Sequence, residues 1–246
     1  MPERYITYSE GPDEDALREA LTKVSELCQS LSHNKIILHT PGIDSLEGVI
    51  EDVFGKNFIK RLQKEKYATI NEIEIVLHTE RLKINEWTQD IVLSVHPTSK
   101  MFANLNNLNR AKAIVVVPWT EEERDEWIKT WNPEIIGEVK IEIETVLIDS
   151  RLEKLLLYLT KMINLSSGLT HPSDKENTIQ LLRLLHKKGF ELNPDNIKMW
   201  ALRNGWNSNA ASKLYEIAEG VLKGKKFKTS GQKIWTDKSV DKILDS

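Results

Sequence analysis

Hydrophobic and polar positions follow two successive rhythms along the chain. Up to about residue 140, short β-branched and apolar runs alternate with stretches whose apolar positions recur every three or four residues; beyond residue 150 only the second rhythm persists. Residues 5–8 form a short run that ends at the turn Ser9-Glu10-Gly11-Pro12. Asp13, Glu14 and Asp15 then stand where acidic groups favour a helix start. Leu17, Leu21, Val24, Leu27 and Leu31 predict that helix. Residues 35–39 read as a buried strand stopped by Thr40-Pro41-Gly42, and one long helix is expected from about Ser45, capped by that serine, through Leu62.

Residues 73–78 are β-rich and suit a hairpin with residues 67–70 across Asn71-Glu72. Further strands are expected at residues 91–95, ended by His96-Pro97, and 113–117, ended by Pro118. Thr120 followed three residues later by Glu123 is a capping-box pattern, so Glu121–Trp131 is expected to be helical, with Pro133 ending it. This alternation predicts an α/β domain, three-layered with a mainly parallel sheet, and resembles the broad Rossmann-like group in strand–helix order alone. Residues 139–147 alternate like a strand at one end and step like a helix at the other, which marks a domain join. Four helices follow: one around Leu152, Leu155, Leu156 and Leu159, then residues 173–188 with Ser173 as cap, 194–204 and 208–222. The expected organisation is an acidic α/β domain over residues 1–145, a separate basic helical domain over 146–228, and a short tail over 229–246.

Charge sharpens that division. The chain of 246 residues carries a formal charge of −3, but residues 151–246 hold 17 Lys and Arg against 10 Asp and Glu, whereas the remainder holds 17 against 27. The halves therefore stand at +7 and −10, which points either to an anionic partner for the second half or to attraction between the two. Cys28 is the single cysteine, so disulfide frameworks and multi-cysteine metal sites are excluded within one chain; placed beside Leu27 on an apolar helix face, it reads as core. With neither a signal-peptide pattern nor a run of about 18 apolar residues, the expectation is a cytoplasmic protein without a membrane role.

In a parallel sheet, ligands gather beyond the carboxyl ends of the strands. The loops there supply the ligand-pocket candidates Glu10, His39, Thr40, His78, Glu80, His96, Ser99, Lys100, Trp119 and Thr120. Three of the six histidines fall at strand ends, and with Glu10 or Glu80 they have the chemistry to hold a divalent metal if their rings converge; a metal-free polar pocket is the preferred expectation. Glycine-rich phosphate loops are absent, as is a Gly-x-Ser-x-Gly nucleophile elbow, so no cofactor and no catalytic residue is assigned. Gly42 with Ser45, or Thr98, Ser99 and Lys100, offer weaker anion-binding groups.

In the second half, the helices on either side of Asn204-Gly205 have a helix-turn-helix outline surrounded by the nucleic-acid candidates Lys198, Arg203, Lys213, Lys223, Lys225, Lys226 and Lys228, with Phe227 among the lysines. Glu216 and Glu219 on the presumed recognition helix oppose a major-groove role, and Trp200 and Trp206 read as core anchors. His171, Ser173 and Asp174 cluster at a helix start. The favoured function is a binding or regulatory protein whose α/β ligand- or partner-binding domain is tied to a basic helical module that meets nucleic acid or protein. An enzyme with its site on the strand-end loops, and a structural interaction module, are the alternatives.

Overall fold

The apolar runs of the first half become strands of one sheet. β1 (Glu3–Thr7), β2 (Lys35–Thr40), β3 (Tyr67–Ile70), β4 (Ile73–Thr79), β5 (Ile91–Val95), β6 (Ala113–Val117) and β7 (Glu134–Ile136) lie in the order β3-β4-β2-β5-β6-β1-β7. Every neighbouring pair is parallel except the edge hairpin β3/β4. The computed structural model describes residues 1–137, 148–228, 230 and 233–245, so the expected join at 139–147 lies outside the described residues. β5 and β6 are buried along their whole length, which is why their sequences, IVLSV and AIVVV, are almost unbroken apolar runs.

Helices cover both faces. α1 (Glu14–Ser30), α2 (Val49–Phe54) and α3 (Lys56–Glu65) bury Leu17, Val24, Ile50, Ile59 and Leu62 against Leu38, Leu93 and Val115 of the sheet. α4 (Ser99–Leu105) and α5 (Glu121–Trp131) pack Leu105, Trp127 and Ile128 against Ile37, Val92 and Ile114 on the other face. The class is mixed α/β with a mostly parallel sheet. Asn71 and Glu72 both take positive φ, 46° and 65°, giving the two-residue hairpin turn whose twist suits the flanking strands.

Two local expectations give way. The single helix from Ser45 is divided into a 3₁₀ turn (Asp44–Leu46), α2 and α3, because the chain passes through φ 75° at Gly48 and 86° at Gly55, where glycine has no Cβ to clash. Ser45 thus lies inside the short turn and makes no cap. β7 had no counterpart in the apolar pattern, being only three residues long; Asn132 at φ 49° reverses the chain after α5 and brings Ile135 beside Ile6.

The topology creates one crevice. The chain leaves β2 toward β4 on one side, and leaves the adjacent β5 toward β6 on the other, so the connections diverge beyond their carboxyl ends.

The chain divides into two compact units, Met1–Glu144 and Thr145–Ser246. The second is helical: α6 (Ser150–Met162), α7 (Pro172–Lys187), α8 (Pro194–Arg203), α9 (Ser208–Leu222) and α10 (Asp237–Asp245). Asp149, Asn193 and Asn207 cap α6, α8 and α9 through their side chains. Ser173 does not cap α7. Pro172 takes the first helical position, and Ser173 Oγ lies 2.8 Å from His171 Nδ1, one turn-forming contact that accounts for this pair. Trp206 is fully buried and donates to Thr160 Oγ1 at 2.9 Å, while Trp200 donates to Glu153 Oε1 at 3.1 Å; both are core anchors.

Residues 233–245 are tied to the helices of the second unit. Trp235 is buried and donates to Asn177 Oδ1, Lys188 bridges Asp237 and Asp241, and Lys154 donates to the Leu244 carbonyl at 2.9 Å. Among the described residues, no helix is long and apolar enough to cross a membrane.

Candidate functional site

A cavity of about 540 Å³ opens where the β2 and β5 connections diverge. The loop after β1 contributes Pro12 and the loop after β2 contributes Pro41, Ser45 and Glu47. Val49 and Ile50 come from the start of α2, His96 to Ser99 from the loop after β5, Trp119 from the loop after β6, and Glu123 from α5. Prolines, Val49, Ile50 and the Trp119 ring make the wall predominantly apolar. Among the described residues no lysine or arginine lines it, whereas two carboxylates, Glu47 and Glu123, do.

His96 is held in an uncommon geometry. Its φ is 52°, its backbone N–H donates to the Val117 carbonyl at 2.8 Å, and its ring meets Trp119 edge-on at 4.7 Å. Burial lowers the imidazole pKa, against which a ring hydrogen bond to the Gly11 backbone acts in the opposite sense. Nε2 is buried without a partner among the described residues, which leaves Nδ1 as the donor to Gly11 and makes Nε2 of the neutral ring an acceptor. Gly11 is itself fixed by a 2.8 Å bond from its N–H to the Trp119 carbonyl, so the loops after β1 and β6 hold the ring together.

Glu123 is the residue that sequence reasoning missed. Thr120 Oγ1 accepts from the Glu123 N–H at 3.2 Å, as the capping pattern requires, but no bond returns from the carboxylate to Thr120. Glu123 Oε2 is instead buried on the cavity side of α5 without a partner among the described residues. Two acceptors left in this state cost about 1–3 kcal/mol each.

The other candidates separate into distinct groups. His39 and His78 face each other in register on β2 and β4. His39 is 1% exposed, its Nδ1 lies 3.4 Å from Ser94 Oγ, and its pKa is lowered to about 4, by burial first and by His78 second, with Glu80 opposing. His78 donates from Nδ1 to the Leu82 carbonyl at 3.2 Å. Glu80 accepts from Thr98 at 2.6 Å and Lys100 at 3.1 Å, and those bonds hold its carboxyl below the usual range. Thr40 donates to the Gly42 carbonyl, Thr120 caps α5, and Glu10 is exposed. Of the ten, His96, Ser99 and Trp119 line the cavity. The three strand-end histidines do not form a ligand set: among the described residues no three His, Cys, Asp or Glu side chains gather as metal ligands. Cys28 is buried, and burial raises its thiol pKa.

In the helical unit, the first turn of α9 touches residues 165–168 while Asn209 stays exposed. Asn207 Nδ2 donates to the Leu165 carbonyl at 2.7 Å, and Gly168 lies so near Asn209 that a Cβ there would sit 3.4 Å from the asparagine's own. On the exposed side of α9, Lys213 pairs with Glu216 and Lys223 with Glu219, each at 2.7 Å. Lys198 and Arg203 on α8 are half-buried, and burial lowers the Arg203 pKa. Lys225, Lys226 and Lys228 are exposed, and the Phe227 ring sits against Gly220, with Arg183 and Lys225 over it at 5.3 and 5.7 Å.

These features define a two-unit chain with a strand-end cavity in an α/β unit and a lysine-rich surface on a helical unit. Residues 149–244, nearly the whole helical unit, match the model of a family described as a domain of unknown function, DUF1889. No curated protein and no solved structure matches the chain.

Proposed function

We propose that the α/β unit is a Rossmann-like ligand-binding domain, and that the chain is a binding or regulatory protein joining this domain to a basic helical module that contacts nucleic acid. The observation that carries the reading is the coincidence of three features: a cavity at the diverging crevice, apolar walls, and two residues in those walls with buried acceptors lacking partners, His96 and Glu123. A site with two acceptors, a second carboxylate at Glu47 and no cation among its described lining residues selects against phosphates and carboxylates. It favours a neutral or cationic small molecule with an apolar ring body and N–H donors, such as an amino-substituted heterocycle or an amidine. The lack of a glycine-rich phosphate loop agrees with that preference.

Calorimetry and thermal shift on the full-length protein, with matched panels of amino-heterocycles, amidines and phosphorylated analogues, test this. Donor-bearing compounds are expected to bind, and His96→Ala or Glu123→Ala to weaken them by about tenfold, equivalent to one lost hydrogen bond of about 1.4 kcal/mol. Binding confined to the phosphorylated panel, or unaltered by both substitutions, refutes the assignment.

A further inference from the structure

The lysines of the helical unit surround a groove that the sequence did not reveal. It measures about 660 Å³ and runs between α7, α9 and residues 225–228 and 230. Lys175 stands on the α7 wall, Lys213 on the α9 wall, and Lys225, Lys226 and Lys228 along the third side. The apolar floor includes Ile179 and Ile217, both nearly inaccessible. Two acids also line it, but each is occupied from within: Glu216 by Lys213 at 2.7 Å, and Glu176 by the N–H and hydroxyl of Ser230, both at 2.9 Å. Lys175, Lys226 and Lys228 take part in no ion pair among the described residues. The surface balance is five cations against two anions.

We infer that this groove holds a single phosphodiester strand. The inference rests on the reading of the helical unit as a nucleic-acid module and moves the contact away from the helix-turn-helix outline. A concave channel admits one backbone, whereas a duplex needs a protruding helix to enter its major groove, and part of the first turn of α9 is taken up by contacts with residues 165–168. Phe227 is engaged on Gly220, so recognition is electrostatic and tolerant of base sequence, without a stacking platform. The lysines on three walls set the strand's path.

Fluorescence anisotropy of the full-length protein with short labelled oligo(dT) and oligo(U) measures this directly and separates DNA from RNA as the strand. Both are expected to bind, with log affinity falling against log salt at a slope of about −3. Lys226→Glu with Lys228→Glu, and separately Lys175→Glu on another wall, should weaken binding about tenfold or more at fixed salt, with circular dichroism and melting temperature unchanged. Lys198→Glu, on α8, should stay within about twofold of the unaltered protein. Loss on Lys198→Glu with the groove variants silent would overturn the groove and leave the nucleic-acid reading standing. No oligonucleotide binding by the unaltered protein overturns both. Displacement by polyglutamate at lower concentration than by unlabelled oligonucleotide assigns the groove to an acidic protein segment and overturns the strand.

Discussion

His39 shows how one buried ring makes stability depend on pH. In the unfolded chain its imidazole titrates near about 6.5, and in the fold near about 4. Between those values the unfolded state takes up a proton that the folded state refuses, so stability is full above about 6.5 and declines as pH falls toward 4, by about 3 kcal/mol in all. Unfolding by urea across that window, compared with His39→Gln, should show the decline in the natural protein and a flatter profile in the variant; identical slopes would mean the ring is not the source. His96, whose pKa is also lowered by burial, adds in the same direction. At this scale the sequence was informative about residue type and blind to direction. Histidines at strand ends were legible from the apolar runs before them, but His39 and His78 turned into one row while His96 lines the cavity. Glu123 was hidden because its position satisfied a capping pattern, and whether its carboxylate bonds backward or turns away depends on loops distant in sequence.

Elements were read well where the local pattern alone decided them. The hairpin at Asn71-Glu72, the buried strands and the α5 cap are set by neighbours in the chain, whereas the break of the stripe from Leu46 to Leu62 depended on two glycines that periodicity ignores, and the groove on a segment returning across α9. Gly220 marks that return. In a helix, Ala is better than Gly by about 1 kcal/mol, yet a Cβ at 220 would stand 2.6 Å from Phe227 Cζ. The clash is expected to win: Gly220→Ala should lower stability by about 1–3 kcal/mol and weaken oligonucleotide binding by displacing residues 225–228, although it removes no charge. Adding Phe227→Ala should recover part of the stability, since the ring that forbids the methyl is gone. Urea midpoints decide it, and a single Gly220→Ala that stabilises would show the ring to be free to move.

At the scale of the whole molecule, each unit has its own buried residues, among them Leu155, Leu182, Trp206 and Leu214 in the second. A fragment of residues 146–246 is therefore expected to unfold cooperatively and to keep the salt-dependent binding of the full chain, measured by circular dichroism and anisotropy. A fragment without a thermal transition would show that its core is incomplete alone. The change from mixed to purely helical rhythm made the helical C-terminal region legible, whereas strand order depends on pairings that no local pattern encodes.

One of those pairings governs how the chain can be made. Of the seven described strands β1 is made first, yet its partners are β6 and β7, more than a hundred residues later. At about 5–20 residues per second, Tyr5 and Ile6 wait for roughly 5–20 seconds before Val115 and Val116 arrive to cover the strand's edge. The α/β unit cannot be completed strand by strand during synthesis, and the uncovered β1 is where a chaperone would find this part of the nascent chain.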